Sequence, residues 1–374
     1  MSASVIDFVM MAQALRYAAL GECGSSPNPS VGCVIAKDGI ILGHGHSQAT
    51  GGAHAEVMAL AMAMAMAGVN TQGATAYVTL EPCSHFGKTP PCANALIQAK
   101  VARVVVALRD PNPLVAGQGI ARLRDNGIEV EVGVLADAAL EHHKGFFSSM
   151  ILQKPWVRIK VAASLDGRIA LKDGQSKWIT GAAARTDVQR LRARSCAMVT
   201  GVTTVLADDP QLNVRDFSVT RQPWKVVLDS QMRTPTNAKI LQQDKVLIVA
   251  AQESERRAAL EASGAEVIIL GETSGQRVGL AALVTHLAQR GCNEITIEAG
   301  GTLCGAFLQA GLVDEMILYQ APVLIGNGQP LANFTLAQLS EKYQPQVFER
   351  RMVGADQRIT LRFSDIKQTL QGAT

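Results

Sequence analysis

Residues 79–92 read TLEPCSHFGKTPPC, and upstream of them residues 54–60 read HAEVMAL. One imidazole and two thiols, His54, Cys83 and Cys92, fill three corners of a tetrahedral Zn²⁺ and leave the fourth to water. Glu56, two residues after the histidine, is a carboxylate placed to move that water's protons. A structural zinc normally takes four protein ligands, and His85 is the candidate fourth. Singly, each residue has a plainer reading, because buried cysteine is commonly an apolar filler. Together the set needs turns between strands and helices. Pro82-Cys83 follows the strand-like ATAYVTLEP, Pro91-Cys92 opens the helix-like PCANALIQAK, and His54 opens HAEVMALAMAMAMAG. The ligands are therefore expected at helix N-termini, where positive partial charge favours thiolate.

Working outward, residues 1–20 have Phe8, Met11 and Leu15 at helical spacing. The turn Ser25-Ser26-Pro27-Asn28-Pro29 leads into the strand VGCVIA, the hairpin Lys37-Asp38-Gly39 and the returning strand IILGHGHS. The Ala/Met alternation at 61–67 imitates a strand, but both residues are strong helix formers and the segment reads as helix. VARVVVALRD gives a further strand, and GIARLRDNGIEVEVGVL a helix and a strand. The sum is an α/β domain, residues 1–150, with helices flanking a mixed sheet. EHHKGFFSSMILQKP carries the chain onward, and Pro155 marks the boundary of a second α/β domain, residues 151–374. There the strands WVRIKVAAS, AMVTG, WKVVLDS, KVLIVA, EVIIL, EITIEAG and EMILYQAPVLIG accompany the helix AAARTDVQRLRAR. Runs this rich in Val and Ile predict a sheet buried on both faces. No functional motif follows Asn333.

Composition narrows the classes. The chain has 374 residues, 48% hydrophobic and 18% charged, with a formal charge of +3, which gives no electrostatic case for nucleic acid or membrane partners. The seven cysteines are scattered and odd in number, unlike a secreted disulfide scaffold. Asp7 and Arg16 interrupt the first apolar run, which reads as an amphipathic helix and not a signal peptide. A reducing, cytoplasmic setting is expected.

His-x-Glu with two later Pro-Cys pairs is the ligand and acid–base pattern of zinc deaminases, although their usual second element, P-C-x-x-C, is stretched here between Cys83 and Cys92. That longer form, with SSPNPSVGCVIAKDG before it and LRDPNPLVAGQG after it, resembles the deaminase half of the bifunctional riboflavin-biosynthesis deaminase–reductase family. The resemblance implies a cytidine-deaminase-like three-layer domain and deamination of 2,5-diamino-6-(5-phosphoribosylamino)pyrimidin-4-one. It assigns substrate contacts to Asn28, His46, His85, Lys88, Asp110 and Asn112.

In the second half G-x-G-x-x-G is absent, and ITIEAGGTLCGAF, a strand running through glycines into a helix, is the strongest local signal for a phosphate group. VRIKVAASLDGRIA, GQSKWITG, LRARSCAMVTGVTTVLADDPQLNVR and VVLDSQMRTP resemble, in that order, the reductase half of the same family. The resemblance implies a dihydrofolate-reductase-like fold and NADPH-dependent reduction of the ribosyl side chain to ribityl. Substrate positions fall on Lys160, Ser176, Arg192, Leu212, Arg215 and Glu298. Cofactor positions fall on Ala162, Trp178, Thr204, Asp208, Ser230, Gly300, Gly301, Thr302, Leu303, Cys304, Gly305 and Ala306. A homo-oligomer acting on phosphoribosylaminopyrimidines is implied as well. Three alternatives stay open: a zinc deaminase whose C-terminal half only binds or dimerises, a structural zinc protein or pyrimidine-sensing binder, and a nucleic-acid deaminase.

Overall fold

The computed structural model describes residues 3–65, 70–85, 90–113, 115–272 and 275–371. The chain divides into two compact units, Met1–Leu152 and Gln153–Thr374.

The N-terminal unit runs α1 (Val5–Gly21), β1 (Gly32–Lys37), β2 (Ile40–His46), α2 (Ala55–Ala65), β3 (Thr75–Val78), α3 (Cys92–Gln98), β4 (Arg103–Val106), α4 (Gln118–Asp125), β5 (Glu129–Val132) and α5 (Ala136–Leu152). Its sheet has the order β2-β1-β3-β4-β5. β1 is antiparallel to β2 and β3, and the remaining pairs are parallel. Period-two alternation sends Cys33, Ile35, Val104 and Val106 to one face with α2, α3 and α4. Val34, Ala36 and Val105 go to the other face with α1 and α5. This gives three layers, helix on sheet on helix. Asp7, which breaks the apolar run of α1, is buried. It completes a capping box with Ser4 and accepts a 2.6 Å bond from Arg103 on β4. Glycines on β2 bring the site helix close: a Cβ on Gly43 would sit 2.2 Å from the Ala59 carbonyl, and one on Gly45 2.4 Å from that of Ala55.

The C-terminal unit runs β6 (Trp156–Ala163), β7 (Arg168–Leu171), α6 (Ala182–Arg194), β8 (Ala197–Gly201), α7 (Val202–Asp208), β9 (Trp224–Leu228), β10 (Val246–Ala250), α8 (Arg257–Ala262), β11 (Ala265–Ile269), α9 (Leu280–Gln289), β12 (Glu294–Ile297), α10 (Gly301–Gln309), β13 (Glu315–Gln320), β14 (Gly328–Pro330), β15 (Gln346–Val353), β16 (Asp356–Arg362) and α11 (Ile366–Gln371). Nine strands form one sheet, β11-β10-β9-β8-β12-β6-β13-β16-β15. From β11 to β13 every pair is parallel, and the β15–β16 hairpin adds an antiparallel edge. Both faces of the parallel strands are buried, as the Val/Ile runs predict: Val199, Val226 and Val249 on one, Met198, Val227 and Ile248 on the other. At the amino ends of β6, β12 and β13, buried Arg158 bonds Glu294 at 2.8 Å and pairs with Glu315, while Arg194 and Arg362 complete the charge balance at 2.9 Å each. The hairpin after Asn333 goes beyond what the sequence reading expects there. The run EMILYQAPVLIG is strand only to Gln320, beyond which Val323 and Leu324 are exposed.

Candidate functional site

His54 immediately precedes α2 and Cys92 is the first residue of α3, so two expected ligands stand at helix starts. Cys83 does not. It lies in the loop leaving β3, where its sulfur accepts the Cys92 main-chain N–H at 3.3 Å. His54 Nδ1 is 3.2 Å from Cys92 Sγ and 3.6 Å from Cys83 Sγ, and the three ligand atoms lie within 4.8 Å of one another. Tetrahedral zinc, with Zn–S of about 2.3 Å and Zn–N of about 2.0 Å, needs nitrogen and sulfur about 3.6 Å apart, so this donor set fits the ion. Among the described residues His85 does not join the group, and it is exposed. The expected structural fourth ligand is therefore not there.

Charge inside the cluster is graded. Hydrogen bonds from Cys92 and His54 overcome burial and bring the Cys83 thiol down to about 4. Cys92 is pushed up, by its bond to Cys83 and then by burial. Glu56 is 3% exposed, and burial followed by the charge of Cys83 raises its carboxyl to about 7. Its carboxyl shares a side-chain hydrogen bond with Cys92, which sets a non-ligand acid beside the three donors.

The other expected residues are distributed as follows. His46 ends β2 one residue after Gly45, beside the start of α2, and burial and then His44 lower its pKa. Asp110 is raised to about 6, chiefly by burial, and senses the charges of Glu81, Cys83 and His85. Its Oδ1 accepts the Asn112 N–H at 2.8 Å. The contacts described for exposed Asn28 tie its N–H to the Ser25 carbonyl of its own turn and do not join it to the metal ligands. Lys88 lies outside the described residues.

In the C-terminal unit some of the expected residues lie at the carboxyl ends of adjacent parallel strands, where open α/β sheets bind ligands, whereas Ser176, Trp178, Arg192, Asp208, Leu212 and Arg215 lie on helices and loops. Lys160 and Ala162 are near the end of β6, Thr204 follows β8, Ser230 follows β9, and Glu298 to Gly301 follow β12. Glu298 takes Arg192 Nη2 at 2.7 Å and Nε at 3.1 Å, and Lys160 Nζ at 3.2 Å. Burial opposes its ionisation, but Arg192 and Lys160 outweigh it and hold Glu298 well below the usual carboxylate range. A third Arg192 bond goes to the Asn213 carbonyl, so at least three of its five N–H donors are engaged. Ser176 donates to Asp208 at 3.2 Å, and the Gly300 N–H to Thr204 at 3.3 Å. Leu212 is buried, whereas Arg215 and Trp178 are exposed, with Arg185 lying 4.6 Å over the Trp178 ring.

Gly300 caps α10 without a side-chain cap bond, and a Cβ there would meet nothing within 4 Å. That open helix start has the room and the N–H donors that a dinucleotide phosphate needs. Thr302 is exposed and Leu303 and Ala306 are part-buried, whereas Cys304 and Gly305 turn into the core. Burial raises the Cys304 thiol to about 12.

Three features escape the sequence reading. Gly43 and Gly45 carry a signal, glycine inside a strand pattern, which marks close backbone approach. The Lys160–Glu298–Arg192 chain carries none as a unit, because its members are far apart in sequence. Glu81, buried beside the metal ligands, reads in the sequence only as the residue before Pro82-Cys83.

Family models match both units. The "cytidine and deoxycytidylate deaminase zinc-binding region" matches residues 6–108, and the "RibD C-terminal domain" matches residues 155–349. The riboflavin biosynthesis protein RibD of Escherichia coli is 45% identical over 364 residues, covering 94% of this chain and 97% of that protein. The solved RibD of Acinetobacter baumannii superposes with a TM-score of 0.86 at 44% identity, covering 96% of this chain and 98% of that one. A Thermotoga maritima structure described as a diaminohydroxyphosphoribosylaminopyrimidine deaminase/5-amino-6-(5-phosphoribosylamino)uracil reductase gives 0.86 at 31% identity, with the same coverage.

Proposed function

The chain belongs to the RibD family of bifunctional riboflavin-biosynthesis proteins, and from that premise we propose which of its residues carry each reaction. It is a zinc-dependent pyrimidine deaminase and an NADPH-dependent reductase. Residues 1–150 deaminate 2,5-diamino-6-(5-phosphoribosylamino)pyrimidin-4-one, and residues 151–374 reduce the ribosyl side chain of the product to ribityl.

For deamination, His54, Cys83 and Cys92 hold Zn²⁺, which supplies the Lewis acidity that makes water a nucleophile near neutral pH. Glu56 takes a proton from the attacking water and passes it to a ring nitrogen, then carries the remaining hydroxyl proton to the departing amine. The C–O bond forms, the C–N bond breaks and ammonia leaves. Asn28, His46, His85, Lys88, Asp110 and Asn112 orient the pyrimidine and its sugar phosphate. The observation that carries this reading is a buried carboxylate, Glu56, set against a three-donor metal cluster with no fourth protein ligand among the described residues.

For reduction, a bound NADPH would supply the hydride chemistry, the acceptor being the imine carbon C1′ of the opened sugar and the imine nitrogen taking up a proton. Gly300 to Ala306 with Ala162, Trp178, Thr204, Asp208 and Ser230 place the cofactor. Arg215 binds phosphate oxygens through its guanidinium fork, and Arg192, whose Nε and Nη2 are held by Glu298, offers its remaining N–H groups to the same phosphate. Lys160, Ser176, Leu212 and Glu298 fix the sugar end, with Lys160 and Arg192 held in place through Glu298.

A cytoplasmic homo-oligomer completes the reading. In its favour, edge strand β15 exposes Val347, Phe348 and Met352, a surface that unprotected edges seldom keep bare. In the same direction, no described helix is long and apolar enough to cross a membrane.

The test supplies the diaminopyrimidine phosphate with and without NADPH while following ammonia and nicotinamide absorbance. Ammonia in both arms and NADPH oxidation in one is the expected result. Ammonia alone would leave the C-terminal unit a binding module.

A further inference from the structure

We propose that Glu81 is the positioning residue of the deaminase site, locking the loop that carries Asp110 and Asn112 to the segment that carries Cys83. The inference rests on the reading that this loop contacts the substrate.

Glu81 is 4% exposed and lies two residues before a metal ligand. Its Oε2 accepts the main-chain N–H of Asp110 at 3.2 Å and of Gly117 at 2.9 Å, and its Oε1 accepts that of Ile120 at 3.1 Å. Its own N–H donates to the Leu108 carbonyl at 2.9 Å. Four bonds from one residue thus reach Leu108, Asp110 and Gly117 between β4 and α4, and Ile120 in the first turn of α4.

A second observation fixes the same contact. A Cβ on Gly119, in the first turn of α4 where the loop ends, would lie 2.0 Å from the Pro82 carbonyl oxygen and 3.3 Å from Glu81 Cγ, so only glycine lets that helix start rest on this segment. Within the loop, Asp110 takes the Asn112 N–H, and the Asn112 carbonyl takes the N–H groups of Val115 and Ala116 at 2.8 Å each. The loop is thereby folded on itself and tied down at a single carboxylate.

Bonds from N–H to a buried carboxylate are stronger than neutral ones, and a donor left unpaired there bears the full desolvation cost. A neutral amide cannot replace the carboxylate. Whichever way the side chain of a Glu81→Gln variant turned, its NH₂ would face a main-chain N–H. Glu81 therefore sets the distance between the metal position and two substrate groups without touching either reactant.

The experiment compares Glu81→Gln, Glu81→Asp, Asp110→Asn and Asn112→Ala in the full chain. Zinc content, deamination kcat and KM, and reductase kinetics are read for each. Glu81→Gln should keep its zinc and its reductase constants and raise the deamination KM about tenfold or more, with a smaller change in kcat. Glu81→Asp keeps the charge but is one methylene shorter, and should fall between it and the parent. A wild-type KM in Glu81→Gln alongside a raised KM in Asp110→Asn would overturn the proposal and leave the underlying reading intact. Unchanged KM in both Asp110→Asn and Asn112→Ala would overturn that reading. Zinc loss in step with activity would assign Glu81 to the metal segment alone and also refute the proposal. If Glu81→Gln does not fold, a wild-type KM in Glu81→Asp refutes it equally.

Discussion

In the N-terminal unit the reactive groups come from two helix starts and one loop, all between His54 and Cys92. In the C-terminal unit the proposed groups are drawn from the ends of separate strands, from α6 and from loops, spread between Lys160 and Ala306. The first site is made by residue type: an imidazole, two thiols and a spare carboxylate supply the chemistry themselves, and three donors within 4.8 Å leave little freedom. The second is made by topology. Parallel strands bring ordinary residues to one crevice, and a helix start with room beside Gly300 does the rest. A site of the first kind should fail all at once when one group is lost, and a site of the second kind by degrees.

The sharpest way to break this contrast is Glu56→Gln. General acid–base catalysis contributes about 10²–10⁴-fold, so deamination should fall by about 10³-fold while zinc stays bound and NADPH oxidation with deaminated pyrimidine is unchanged. Metal analysis and the two assays on one sample decide it; normal ammonia release would remove Glu56 from the mechanism. In the reductase, Glu298→Gln leaves Arg192 and Lys160 in place but frees them from their shared anion. Reduction should drop about 10–100-fold in kcat/KM, with deamination unaffected, because each charge-assisted bond is worth about 1.5–3 kcal/mol. A loss as complete as that of Glu56→Gln would erase the distinction.

Arg158→Met probes the opposite ends of the same strands. It removes the cation between Glu294 and Glu315 and should cost about 3 kcal/mol, roughly 10 °C in the melting of the C-terminal unit, with kcat per folded molecule retained. Calorimetry with active-site titration separates the two effects. The smallest expected effect is on acid stability. Burial raises the Asp7 pKa, but the Arg103 bond and those from Ser4 and Tyr77 prevail and lower it to about 2. A folded value below the unfolded one, about 3.9, means its stabilisation is present above pH about 4 and lost as pH falls towards 2. The denaturation midpoint of Asp7→Asn should therefore vary less over that range than that of the parent.

The contrast also explains what can be read from the chain. The clustering of His54, Cys83 and Cys92, the mixed first sheet and the Val/Ile strands of the second are legible, because reactive types and periodicity report them directly. The α5 helix escapes notice because Glu141, His142, His143 and Lys144 conceal its apolar face, even though His143 and Lys144 are buried. The β15 strand is missed because QVFERRMV is mostly exposed on an edge and shows no buried alternation. Cys83 is expected at a helix start because Pro-Cys reads alike at Cys83 and Cys92; only the fold separates a strand exit from a helix entry. Glu81 stays hidden because its partners are main-chain N–H groups, which no side-chain pattern reports.

Exhaustive chelation of the purified chain, followed by both assays, tests the central claim that each unit holds its own chemistry. Ammonia release should vanish and return with added Zn²⁺, while NADPH oxidation with the deaminated pyrimidine continues at its original rate. Deamination that survives removal of the metal, or reduction lost together with it, would contradict the account.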